Sequence, residues 1–162
     1  MSRKPVTEAL TKAAQSYLLH KGFSCYAELA VDASTRRRAD VVAVNLKRHI
    51  FICEVKSCEA DYLTDSKWHT YLDYCDQFVF VFTHSTYESL AAKLRQDLKG
   101  TKAGILVLSP TTGYLVSKRP SRIEPCHNRI RRKLITRMAW RGGFSARGHR
   151  RTRVFLLQSH PS

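Results

Sequence analysis

Residues 77–83 read QFVFVFT, five consecutive Phe and Val positions between two polar ends. A strand apolar on both of its alternating faces must be covered on both sides, so it needs a layer of structure above and below it. The flanking sequence supplies those layers. Asp65 can cap a helix reaching about residue 74, with Trp68, Tyr71 and Leu72 on its apolar side. Ser85-Thr-Tyr-Glu88 has the form of a capping box opening a second helix to Lys99, and Gly100 closes it. Helices that cross between strands predict an α/β layer arrangement.

The rest of the chain extends that sheet. Residues 7–21 place Leu10, Ala13, Ala14, Tyr17 and Leu18 at helical spacing before a stop at Gly22. Residues 23–31, 39–46 and 49–55 are β-branched and apolar runs separated by DASTRRR and NLKR, which predicts a three-stranded antiparallel meander. Strands over 103–108 and 114–118 follow, around the turn SPTTG. Past Pro120, residues 126–140 carry Ile130, Leu134 and Met138 at four-residue intervals, a basic amphipathic helix ending at Gly142-Gly143. FSARGHRRTR beyond it reads as a flexible basic arm, and the apolar 154–157 can dock. The organisation expected is a domain over 1–118 with a basic helix and arm over 119–162.

A chain of 162 residues, 43% hydrophobic, supports one domain with a real core. It has no apolar run near the roughly 20 residues that cross a bilayer, and its start lacks a secretory apolar stretch, so no membrane association is expected. Five cysteines, an odd number with several beside apolar runs, fit reduced thiols in a cytoplasmic location. The net charge of +15 is unevenly placed. Residues 1–117 hold 15 basic and 12 acidic side chains, whereas residues 118–162 hold 13 basic ones against Glu124 alone. An arginine-dominated segment of that kind suits phosphate, and DNA is the partner it favours. A solubilising tail or an acidic protein partner would use the same charge.

Folding the meander on paper gathers its acids. A first hairpin turning about Ser34 sets Glu28 opposite Asp40, and a second turning about Lys47 sets Asp40 opposite Glu54. Directly paired residues share a face, so the three would form a row, with Lys56 two residues past Glu54 pointing the same way. Adjacent carboxylates repel, and a hard divalent cation held by Asp40 and Glu54, Mg²⁺ or Mn²⁺, would relieve them. Such an ion can polarise a scissile phosphate, and Lys56 can orient or activate water or stabilise charge on the phosphate. A bare (D/E)-x-K is a common surface pattern. Here it follows the apolar IFIC, and Asp40 opens the apolar VVAV, which puts both at the ends of buried strands.

The order helix, meander, Asp40, then Glu54-Val55-Lys56 resembles the PD-(D/E)XK nuclease superfamily. RRRADVVAV followed by CEVKSCEADYLTDSKWHTYLDYCDQFVFV is similar to the MmcB-like DNA-repair proteins within it, a resemblance covering roughly residues 10–140. It implies an α/β, restriction-endonuclease-like three-layer fold with a central mixed sheet flanked by helices, Asp40 and Glu54 as metal-binding acids and Lys56 as the catalytic lysine. Ala39 stands where the motif's proline would be. The superfamily often adds an acid from the first helix, for which Glu8 is the candidate, while the pairing argument selects Glu28. Branched-substrate members are commonly dimers, so a homodimer stays open. The implied activity is metal-dependent DNA hydrolysis in repair, recombination or phage DNA metabolism; the alternative is a non-catalytic DNA-binding accessory protein on the same fold.

Arg36, Arg37 and Arg38 stand just before Asp40, placed to hold the phosphate under attack. Lys67 in the following helix and Arg131 and Arg132 in the basic C-terminal helix are further nucleic-acid contacts. Without a CxxC pair the cysteines do not match a zinc finger, and no Gly-rich phosphate loop or GxSxG supports ATP or serine-hydrolase chemistry.

Overall fold

The structure, a computed structural model, describes residues 3–142. A six-stranded mixed sheet in the order β1-β2-β3-β4-β5-β6 lies between two helical layers. Helix α1 (Arg3–His20) buries Leu10, Ala14 and Leu18. It stops where Gly22 takes a φ of +82°, a conformation that costs glycine nothing. Strands β1 (Ser24–Ala30), β2 (Arg38–Val44) and β3 (Ile50–Lys56) form the expected antiparallel meander. The second turn is tight because Asn45 Oδ1 accepts the N–H groups of Lys47 and His49, both at 3.0 Å.

From β3 the chain passes through the short helix α2 (Glu59–Leu63) and a 3₁₀ helix (Trp68–Tyr74) to β4 (Gln77–Thr83), parallel to β3. Helix α3 (His84–Asp97) then leads to β5 (Gly104–Leu108), parallel to β4. Crossovers of one hand between strands laid down in sequence put their helices on one face. Tyr62, Trp68, Tyr71, Leu90 and Leu94 accordingly pack with Phe78, Phe80 and Phe82. Strand β6 (Leu115–Arg119) closes the edge antiparallel to β5. Helix α4 (Asn128–Gly142) returns to the α3 face and buries Leu134 and Met138 in the same core. Helix α1 covers the other face, over Val41, Phe51, Cys53, Val79 and Leu106.

Several sequence expectations change here. The helix expected over 65–74 starts only at Trp68 and is 3₁₀, and the separate short helix α2 precedes it over Glu59–Leu63. Trp68, Tyr71 and Tyr74 recur every third residue, the period of a 3₁₀ turn, and that spacing lays the rings along the sheet. The residue that caps α3 is Thr83, whose Oγ1 accepts Thr86 N–H, so Ser85 falls inside the helix. Strand β6 runs through the boundary expected at 118, and α4 shares the main core, so the described part of the basic segment belongs to the same folded body. The arm and the apolar 154–157 lie outside the described residues.

Candidate functional site

The ladder between β2 and β3 carries backbone pairs from Val44↔Ile50 to Val41↔Cys53. Beyond that point side chains take over from backbone. Asp40 N–H donates to Glu54 Oε1 at 3.1 Å, and Val55 N–H donates to Asp40 Oδ2 at 2.7 Å. Each carboxyl group thus uses one oxygen to satisfy a backbone donor that the parting strands would orphan, and keeps its second oxygen for another partner. The registers are those that place Glu28 opposite Asp40 and Asp40 opposite Glu54, since Leu29 pairs with Ala39 and Val41 with Cys53.

Glu54 and Lys56 continue the face of Ile52 and lie beside Phe80 and Phe82 of β4. Each is only 6% exposed. Burying charge in that setting demands partners. Lys56 Nζ finds one in Asp65 Oδ2 at 2.5 Å, and sits 5.9 Å from the Phe80 ring centre. Asp65 uses its other oxygen to accept Lys67 and Trp68 N–H at 2.8 and 3.0 Å, which anchors the acid to the start of the 3₁₀ helix. Tyr71 hydroxyl donates to the Arg38 carbonyl at 2.8 Å and so ties that helix to the strand end bearing Asp40.

The electrostatics follow from this packing. Burial, and after it the charge of Asp40, pushes Glu54 up to about 8, against the opposing Asp40 N–H and Lys56. Burial also raises Asp40, with Val55 N–H and Lys56 pulling it down and Glu28 and Asp65 adding to the rise. Lys56 bonds Asp65 and reaches Asp40 and Glu54 only through space, so among the described residues neither acid of the junction has a cation in contact. Among the described residues no third His, Cys, Asp or Glu completes a metal-ligating group with the Asp40–Glu54 pair. Two hard oxygen donors therefore fit Mg²⁺, which holds most of its ligand sphere as water and substrate phosphate, better than an ion that wants a full protein cage.

The remaining expected residues separate. Glu28 is exposed and has a φ of +50°, which interrupts the face alternation of β1: Cys25 belongs to the α1 side, while Leu29 and Val31 have crossed to the α3 side. Its charge still reaches Asp40. Glu8 occupies an exposed position on α1. Arg36 and Arg38 are exposed in the turn and strand end leading to Asp40, and Arg37 is half-buried there. Lys67 is exposed beside Asp65. Arg131 serves the fold instead. Its guanidinium forks onto Asp76 at 2.5 and 2.6 Å and also donates to the Arg48 carbonyl at 2.8 Å. It latches α4 to the sheet, and Arg132 is the exposed one of the two. Sequence reasoning missed Asp65 and Tyr71 as members of the cluster. Only Asp65's capping role was visible, because nothing in the nine-residue spacing from Lys56 reveals their contact.

A sequence model of the family described as DNA repair protein MmcB-like matches residues 2–142. No curated protein matches the chain. Among solved structures, a protein of unknown function from Silicibacter pomeroyi is similar at a TM-score of 0.68 and 22% identity, over 94% of this chain and 92% of that one. That likeness supports the three-layer arrangement of helices and mixed sheet.

Proposed function

Since the chain belongs to the MmcB-like family of DNA-repair proteins, we propose that it is a metal-dependent DNA nuclease of the PD-(D/E)XK type, hydrolysing phosphodiester bonds at the Asp40–Glu54 junction. The observation that carries this reading is the interlock of the two acids where β2 and β3 part, with Lys56 buried alongside. Asp40 and Glu54 would hold Mg²⁺ or Mn²⁺, which when bound supplies Lewis-acid polarisation of the scissile phosphate.

The chain's own groups do the rest. Lys56, a cation held in a poorly hydrated pocket, offsets negative charge that develops on the phosphate oxygens and orients the attacking water. Asp65 keeps the ammonium aimed, and Tyr71 keeps the start of β2 in place. Arg36, Arg37 and Arg38 draw the backbone toward Asp40. Water adds to phosphorus as one P–O bond breaks, and the leaving oxygen takes up a proton to replace the one the water gives up, leaving a phosphate end and a hydroxyl end. DNA cleavage with Mg²⁺ or Mn²⁺ across duplex, single-stranded and branched substrates tests this. Wild type should cut at least one of them, and Asp40→Asn and Glu54→Gln should not while still binding.

The Lys56–Asp65 pair favours a second reading. It already neutralises the lysine without DNA, as suits a non-catalytic DNA-binding accessory protein that keeps the fold. Wild-type binding without cleavage of any substrate, at any metal concentration, would select that reading.

A further inference from the structure

At the end of β3 away from the acids, the β2–β3 turn meets the first turns of α4. Lys47, Arg48, Asn128, Arg131, Arg132 and Ile135 line a cavity of about 490 Å³ there. Lys47, Arg48 and Arg132 are exposed, and among the described residues none of them has a carboxylate within ion-pair distance. Asp76, the acid that pairs with Arg131 of the lining, is 2% exposed and already taken. It accepts Ile50 N–H at 2.7 Å, Cys126 N–H at 2.9 Å and both arms of the Arg131 fork. Arg131 also holds the Arg48 carbonyl, so turn and helix are locked in one geometry before any ligand arrives.

Three free cations converging on one rigid cavity repel one another, and an anion relieves them. We propose that this corner is a second phosphate-binding site, which grips the DNA backbone at a distance from the cleavage junction. The proposal rests on the DNA reading above and adds a contact to it. Glu54 lies six residues along the chain from Arg48, only the last four of those steps inside β3, so the two are at most about 20 Å apart at roughly 3.3 Å per residue. At about 3.4 Å per step of one strand, that span is about six base pairs of duplex. The two sites together would fix where along the duplex the junction sits.

The test uses the full chain and a 20-base-pair duplex, comparing wild type with the triple variant Lys47→Ala/Arg48→Ala/Arg132→Ala, which leaves the Arg131 latch untouched. Thermal unfolding should be unchanged, since all three side chains are exposed. The slope of log affinity against log salt should flatten by about 0.9 for each phosphate no longer neutralised, and Lys47→Arg/Arg132→Lys should restore it. Cleavage at saturating DNA should keep its rate, with the loss confined to KM. An unchanged salt slope with intact wild-type binding overturns this inference and spares the DNA reading. A wild type that binds no duplex overturns both. Saturation of the corner by inorganic phosphate, with no effect of the triple variant on duplex binding, would make it a free-anion site and also overturn the proposal.

Discussion

Replacing Glu54 with glutamine should make the metal-free protein more stable above neutral pH, although it removes a proposed metal ligand. Glu54 stands near 8 in the folded protein and near the ordinary 4.5 when unfolded, because burial and the Asp40 charge both disfavour its ionised form. Between those values the folded state holds a proton that the unfolded state has released, so stability falls as pH rises through the window. At 1.36 kcal/mol per pH unit, the loss between pH 5 and 8.5 amounts to about 4 kcal/mol. For a chain of this size that is about 10 °C in Tm. Differential scanning fluorimetry in chelator should show wild type losing that much across the range, and Glu54→Gln staying nearly level. Millimolar Mg²⁺ should restore wild type at pH 8.5 and leave Glu54→Gln unmoved, since binding to the ionised pair is what lifts the penalty. A wild type whose Tm is flat from pH 5 to 8.5, or a Glu54→Gln variant that keeps the same slope, would refute the account of the junction as two acids in want of a cation.

Lys56→Ala should slow cleavage by about 10²-fold or more with KM little changed, measured in single-turnover assays at saturating DNA; a wild-type rate would exclude Lys56 from the chemistry. Asp65→Asn leaves Lys56 in place but without its anchor, so kcat should fall about tenfold or more while KM holds. Asp65→Glu should recover part of that loss. Arg131→Met leaves the buried Asp76 unpaired and should cost about 3 kcal/mol in urea denaturation, while the salt slope of DNA binding stays close to wild type. A fall in the slope instead would return Arg131 to the DNA interface.

Much of the sheet is legible along the chain because strand and hairpin signals are local. The alternation over β1 to β3, the turn residues around Ser34 and Asn45, and the FVFVF run name the strands, and hairpin symmetry sets Asp40 against Glu54. Pairing arithmetic does not reveal the strain at Glu28, where a φ of +50° moves the following residues to the other face, so a row of three acids becomes a pair, Glu54 buried and Asp40 half-buried, with an exposed neighbour. Nor does it reveal how a charge will be satisfied. Lys56 and Asp65, like Arg131 and Asp76, lie on different elements, and only the crossover that lays the 3₁₀ helix on β3 and β4 and the return of α4 across the sheet bring them within 2.5 Å. The layered α/β class, the strand registers and the acids at the strand ends were written in the chain, because they follow from periodicities of two and about three and a half residues. Which charges are buried, which cations are spent on the fold and which remain free for a phosphate was set only by the folded arrangement, because burial and ion pairing depend on which distant segments come together.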